Sequence, residues 1–346
     1  MKKMYSIKEQ TKAQLAEWLK AHGQPAFRAT QIHDWLFKKL AMTFDEMANL
    51  PKALREELAA DFSACALEIE TTQTDNDRTV KWLSRLHDGH TIETVLIRAP
   101  KRNTVCVSTQ VGCQVHCVFC ATGRQGFVRN LNVSEIVDQV VLASREAGEL
   151  VTNVVVMGMG EPLHNLQNLI PALEMICSPD GFGLGARHVT VSTSGVPRGI
   201  RQLADQQRPW NLAVSLHAAN NELRAKIIPP KFRARIEDIR DAVAYYREKT
   251  GRMPTIEYVL VDGLNDSYDD ATALADVAHD FHAKVNLIPC NSEDPRFAPP
   301  SAEKCEKFLG VLTKRNLQAT LRMRKGKNIR AACGQLRQAE MEDDES

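Results

Sequence analysis

The apolar positions of the chain change rhythm near residue 100. Over residues 8 to 60 they recur at spacings of three and four in "TKAQLAEWLKAHG", "RATQIHDWLFKKL" and "ALREELAADF". That period predicts amphipathic helices, the first of them stopped at Gly23. "RTVKWLSRL" and "TIETVLIRA", between residues 78 and 99, read instead as a short pair of strands. From about residue 103, short apolar runs alternate with helical stretches such as 134 to 148 and 237 to 249. "TVCVSTQ", "TNVVVMGM", "RHVTVSTSG", "NLAVSLHA", "TIEYVLV" and "KVNLIP" are six strand candidates. Strand–helix alternation of this kind predicts an α/β fold, a parallel sheet with crossover helices closed in part into a barrel. In such folds the chemistry gathers at the carboxyl ends of the strands, here residues 158–161, 192–195, 215–217 and 289–291. The expected organisation is a helical N-terminal unit over 1–77, a strand linker over 78–98, a strand–helix core over 99–330 and a C-terminal segment over 331–346.

Composition narrows the class only a little. At 346 residues with 43% hydrophobic and 25% charged side chains, the chain has material for a sizeable core. Its formal charge is +1, but the tail "EMEDDES" holds five of the 43 acidic residues. The remainder therefore has six more basic than acidic side chains, which permits a nucleic-acid partner without requiring one. "MKKMYSIKEQ" lacks the apolar core of a secretory leader, and no apolar run approaches the ~20 residues that span a bilayer. The expectation is a cytoplasmic protein with no membrane partner. In that compartment nine cysteines point to metal or thiol chemistry rather than a disulfide framework.

Three of the nine, Cys113, Cys117 and Cys120, fall within "GCQVHCVFCATGRQGF". Structural zinc normally takes four ligands in two separated pairs, and no second CxxC exists; His116, beside Cys117, is poorly placed to share one ion with it. Iron–sulfur clusters use thiolates, four for a [4Fe–4S] cube, so three leave one iron open to another ligand. Gly158 and Gly160 in "GMGEP" suit a tight turn after the second core strand, and a glycine turn also lets a ligand approach the backbone.

The C-x3-C-x2-C spacing, with Phe119 before its last cysteine and "GMGEP" after the second core strand, resembles the radical S-adenosylmethionine (SAM) enzymes. "TVCVSTQVGC", "CATGRQGFVRNL", "GMGEPLHN", "VTVSTSGV", "SLHAANNELR" and "AACGQL" extend the likeness from about residue 25 to 336, to the RNA adenine methyltransferases RlmN and Cfr. "GEPL" is closer to the RlmN branch, which acts at adenine C2; a Cfr-like enzyme acting at C8, or another RNA target, is the alternative. "PAFRATQIHDWLF" resembles that family's helical RNA-holding domain.

The resemblance implies a partial (β/α)6 barrel and one [4Fe–4S] cluster on Cys113, Cys117 and Cys120, with SAM on the open iron. It implies SAM contacts from Gly160, Glu161, Ser192, Ser215, Leu216, His217 and Asn291. Two SAM molecules are used per turnover. The resemblance implies that Cys333 takes a methyl from the first, and that a 5'-deoxyadenosyl radical from the second abstracts hydrogen from that methyl. The carbon then adds to the base, an electron-poor position that cannot attack SAM directly. By the same resemblance Cys106 is expected to release the adduct by forming a disulfide with Cys333, and Glu93 to remove the C2 proton. The partners implied are 23S rRNA or tRNA and a reducing protein such as flavodoxin. Taken without the resemblance, Cys106 reads as a buried structural cysteine and Glu93 as the polar face of an edge strand.

A basic run, "RMRKGKNIR", precedes Cys333 and offers Arg322, Arg324, Lys325, Lys327 and Arg330 for phosphate contacts; Arg124, Arg129, Lys226 and Lys231 could extend that surface. Two stretches depart from the family pattern, "PCNSEDPRFAPP" and "KGKNI", the latter where the family reads "RGxDI". A metal-stabilised RNA-binding module is the non-enzymatic alternative, and it leaves Cys106, Cys333 and Glu161 without a purpose.

Overall fold

The computed structural model describes residues 5–292, 294–322 and 324–336, so the acidic tail and the end of the expected C-terminal segment lie outside it. At the N-terminus, β1 (Tyr5–Ser6) leads into α1 (Lys12–Ala21), α2 (Arg28–Phe37) and α3 (Lys52–Asp61), and β2 (Phe62–Ser63) returns to pair with β1. Thr11 and Gln14 form a capping box that starts α1. Leu15 with Leu19, Ile32 with Leu36, and Leu54 with Leu58 repeat at four-residue spacing, which puts each pair on one buried face.

The main sheet begins with three antiparallel strands, β3 (Glu68–Thr74), β4 (Val80–Arg85) and β5 (Thr91–Ala99), followed by β6 (Arg102–Cys106). A small hairpin, β7 (Gln110–Gly112) and β8 (Phe127–Asn130), brackets the short α4 (Ala121–Arg124). The chain then runs α5 (Val133–Ala147), β9 (Asn153–Val156), α6 (Leu166–Cys177), β10 (Val189–Thr193), α7 (Pro197–Asp205), β11 (Asn211–Ser215), α8 (Asn221–Ile227) and α9 (Ile236–Thr250). It ends β12 (Thr255–Leu260), α10 (Tyr268–Asp280), β13 (Lys284–Pro289), α11 (Ala302–Lys314) and β14 (Ala319–Leu321).

Strand order is β3-β4-β5-β6-β9-β10-β11-β12-β13-β14, with every pairing from β6 to β14 parallel. The six strands expected from sequence are β6 and β9 to β13. Helices cover them, and their continuous apolar runs follow from that burial. Two features differ from the sequence expectation. The strands at 78–98 do not stand apart as a linker but extend the same sheet through the β5–β6 pairing. A seventh parallel strand, β14, adds to the far edge; only three residues long, it carries too little pattern to read.

The sheet is rolled rather than flat. Arg322, just past β14, brings its Nη1 to 3.9 Å from the sulfur of Met157, just past β9, although four strands lie between. The N-terminal unit docks on α5, where Lys8 and Asp138 form an ion pair at 2.8 Å with both side chains fully buried. Asp138 also accepts from the Ala66 amide at 2.7 Å, so the charge is both paired and hydrogen-bonded, as burial requires.

Candidate functional site

Two cavities open at the carboxyl ends of the parallel strands and share part of their walls. The first is lined by Cys113, Cys117 and Cys120 on one side and by Gly160, Glu161, Ser192, Ser215, His217 and Asn291 on the other. The second is lined by Cys106, Arg102, Arg324 and Lys325, among others. Cys333 and Arg322 belong to both walls.

The cysteine loop is set by its flanking hairpin. Gly112 ends β7 with φ +73°, and a Cβ there would lie 1.9 Å from the Gly126 carbonyl oxygen, so no larger residue fits. The Cys113 amide donates to that same carbonyl at 2.8 Å, and the Cys120 amide to the Cys117 carbonyl at 3.1 Å. His116 turns its Nδ1 to the Gly123 carbonyl at 2.8 Å. Among the described residues no three His, Cys, Asp or Glu side chains converge on a single-ion site. Three thiols spread along one cavity wall fit a multi-iron cluster better than one zinc ion. Burial pushes the Cys113 thiol up to about 12, and Cys117 and Cys120 also rise through burial. Such thiols ionise only when a cation is supplied, which a cluster does.

The opposite wall is held by bonds the chain makes to itself. Gly160 has φ +103°, and a Cβ there would meet the Gln110 side chain at 2.6 Å. Glu161 is buried, and its carboxylate accepts the Ser194 amide at 2.7 Å and the Leu163 amide at 3.1 Å. Ser192 and Ser215 hydroxyls lie 3.3 Å apart. His217, at φ +58°, accepts the Val259 amide at Nδ1, 3.1 Å. Burial, and then Arg224, lower its pKa to about 3. The ring is therefore neutral with its proton on Nε2, since Nδ1 is the acceptor.

Arg224 is the residue sequence reasoning missed. Inside "SLHAANNELR" it reads as an ordinary cation on a helix surface, yet it is fully buried. It donates to the carbonyls of Leu216 at 2.8 Å, Ser194 and Ala234, tying together the loops that follow β10 and β11. Burial lowers its pKa to about 10, with the Cys117 thiol acting in the opposite sense.

The structure does not bring every expected residue to the cavities. The Leu216 side chain is buried in the core, and its amide donates to the Glu257 carbonyl at 3.1 Å; only its backbone is near the site. Glu93 lines neither cavity. It pairs with Lys81 at 2.6 Å, both nearly buried, while its own amide meets the Met159 sulfur and its carbonyl accepts from Ser108. All nine cysteines are free, so the expected Cys106–Cys333 disulfide is not formed here. Burial, and then Cys333, push the Cys106 thiol up to about 12.

Among the basic residues, Arg322 turns into the rolled sheet instead of outward. Arg129 is held by Asp88 and by both oxygens of Glu135 at 2.8 and 2.9 Å, and Arg124 faces Asp294 at 3.4 Å. Lys325 lies 3.8 Å from Asp77, and Asn328 donates its side-chain amide to Asp75 at 2.6 Å. An acidic residue at 328 would confront Asp75, which gives the "KGKNI" departure a local reason.

Residues 107–275 match the profile of the Radical SAM superfamily, and residues 6–63 match the ribosomal RNA large subunit methyltransferase N-terminal domain. Proteins described as probable dual-specificity RNA methyltransferase RlmN are similar across nearly the whole chain. One from Halalkalibacterium halodurans is 45% identical over 96% of this chain and 92% of its own length; one from Bacillus subtilis is 43% identical with the same coverage. The chain belongs to the RlmN family of radical SAM methyltransferases. A crystal structure of a radical SAM methyltransferase from Sphaerobacter thermophilus superposes with a TM-score of 0.92 at 44% identity, covering 96% of this chain and 99% of that one. Membership of this family makes the chain a SAM-dependent RNA methyltransferase with a [4Fe–4S] cluster. Among the described residues no helix is long and apolar enough to cross a membrane.

Proposed function

We propose that the protein methylates C2 of an adenine in 23S rRNA, tRNA or both, using Cys333 as a methyl carrier. The observation that supports this most directly is the position of Cys333 on the wall common to the two cavities. A thiol there faces the cluster loop on one side and Cys106 on the other, which a carrier needs and a structural cysteine does not.

In this reading Cys113, Cys117 and Cys120 hold the cluster. The bound cluster supplies the electron that cleaves SAM to its reactive radical. Gly160, Glu161, Ser192, Ser215, His217 and Asn291 cradle SAM; the neutral imidazole of His217 leaves one N–H to donate, and Leu216 contributes through its backbone. Cys333 presents the methyl group, and Cys106 attacks the Cys333 sulfur to free the product, leaving a transient disulfide. Glu93 takes the C2 proton. Glu93 lines neither cavity, so in this reading bound RNA brings the base toward β5, flipped out of its stack. Arg324 and Lys325 at the mouth of the second cavity suit the RNA backbone, and a reducing protein such as flavodoxin delivers electrons. A two-thiol cycle needs a reducing compartment, the cytoplasm.

The test is Cys106→Ala in holoenzyme with RNA. An adduct between the protein and RNA should accumulate, and digestion of wild-type product should give 2-methyladenosine. No adduct would remove the two-thiol route, and 8-methyladenosine would move the reaction to C8.

A further inference from the structure

The β7–β8 hairpin leaves two large apolar side chains on the surface, Phe127 at 37% exposure and Val128 at 47%. Single apolar residues are normal on a surface and need no purpose. Phe127, however, lines a groove of about 690 Å³ together with Gln114 and His116 of the cysteine loop and with Pro229, Lys231 and Phe232 after α8. The groove shares no lining residue with either cavity of Cys333. Gln114 and His116 nevertheless sit beside Cys113 and Cys117, so the cysteine loop contributes a wall both to the groove and to the first cavity.

These walls are fixed before any ligand arrives. The Val118 amide donates to the Ile227 carbonyl at 3.1 Å, joining the cysteine loop to α8, and the Arg233 guanidinium donates to the Ile228 carbonyl at 3.1 Å. Phe232 is half-buried against Val115, Phe119, Leu223 and Ile227. The rings of His116 and His164 stand 6.3 and 6.0 Å from it, centroid to centroid, tilted by 38° and 55°. Lys231 holds its ammonium 5.2 Å from the same ring. Carboxylates hold Arg124 and Arg129, but among the described residues Lys231 has no acidic partner and no carboxylate lines the groove.

Aromatic faces beside an unpaired cation fit a nucleobase and its phosphate. Rings stack on bases with little regard to sequence, and the ammonium takes the backbone charge. Such a platform also answers an energetic need. Flipping one base into a pocket breaks its stacking and leaves a neighbouring base without a partner. A rigid aromatic face replaces that partner at little cost in side-chain entropy.

We propose that this groove is a nucleobase subsite: a base neighbouring the flipped adenine stacks on Phe232 and Phe127, and Lys231 contacts the adjoining phosphate. It deepens the RNA-methylating reading and rests on it for the flipped base, but not on Cys333 as methyl carrier. An acidic protein would answer to the same lysine, whereas the rings gathered around Phe232 and the exposed Phe127 favour a flat aromatic ligand.

The test uses anaerobic holoenzyme with 23S rRNA and, separately, tRNA, each from cells lacking the enzyme. Short-wavelength ultraviolet light joins stacked bases to aromatic side chains. After nuclease treatment, mass spectrometry should find nucleotide adducts on the peptides that hold Phe127 and Phe232. In filter binding, Phe127→Leu and Phe232→Leu should each weaken affinity about tenfold, and Phe127→Tyr, which keeps the ring, should bind like wild type. Lys231→Met should lower the slope of log affinity against log salt by about 0.7, the value for one single-strand phosphate. Iron content reports whether the cysteine loop is intact; if Phe232→Leu loses iron, Phe127→Leu, on the surface, carries the comparison. Adducts found only elsewhere, with wild-type affinity in Phe127→Leu, would overturn the proposal. Unchanged RNA binding with slower cluster reduction by reduced flavodoxin would also overturn it and give the groove to the electron donor. Should RNA bind and crosslink in the groove while no adenine becomes methylated, the methylation reading falls and the stacking site stands.

Discussion

Around the cluster-loop cysteines the polar groups are satisfied by the chain's own backbone: Glu161 accepts two amides, His217 accepts one, and Arg224 binds three carbonyls. Around Cys106 and Cys333, by contrast, Arg102, Arg322, Arg324 and Lys325 line a shared cavity with few partners of their own, Arg102 donating to Thr104 at 3.1 Å and Lys325 lying 3.8 Å from Asp77. The first arrangement is rigid before any ligand arrives, as precise orientation of a small cofactor requires. The second leaves charge unspent for an RNA backbone and leaves its sulfurs room to change partners.

That contrast is broken most severely at Arg224. Arg224→Met leaves three carbonyls, that of Leu216 fully buried, without this donor and should cost about 2–4 kcal/mol, read as a lower midpoint in chemical denaturation. An equivalent change at Arg324, exposed at the second cavity, should stay within about 0.5 kcal/mol and weaken RNA binding instead. Equal losses at the two sites would end the distinction between a preformed and an open cavity.

A smaller loss is expected at Gly160. An alanine there must adopt φ +103° and push Gln110 aside, at about 1–3 kcal/mol. Because that turn carries Glu161, titration calorimetry should find SAM bound about tenfold more weakly, a shift of about 1.4 kcal/mol.

The smallest effect is a pH slope. His217 has a folded pKa of about 3 against about 6.5 in the unfolded chain, so between those values the unfolded state binds the extra proton. Its contribution to stability is complete above about pH 6.5 and is lost as pH falls toward 3, at up to about 1.4 kcal/mol per pH unit. Denaturation midpoints at pH 7 and pH 5 should therefore fall less in His217→Gln than in wild type. An unchanged slope would mean that the imidazole is not held neutral in the fold.

Much of this was legible in the chain. Six strands showed as apolar runs because parallel strands are buried on both faces, and the cysteine spacing with "GMGEP" pointed to cluster and cofactor before any coordinate. What escaped were residues whose environment contradicts their type. Arg224 carries the signature of a solvated helix, and Arg322 that of a basic run. Arg129 looked available for phosphate, but Asp88 and Glu135 already claim it. Leu216 and Glu93, named through resemblance, stand back from the cavity wall because resemblance assigns a residue without assigning the direction of its side chain.

The sequence by itself determined the alternation of elements, the close cysteine spacing that we propose holds an iron–sulfur cluster and the glycines at turns where a Cβ would collide, since each depends on neighbours a few positions away. Only the tertiary structure decided that Cys106 and Cys333 share a cavity, that Cys333 also lines the cavity of Cys113, Cys117 and Cys120, and that Arg322 lines both cavities. Those relations arise from the roll of the sheet, which brings β14 back toward β9, and no local pattern along the chain encodes that closure.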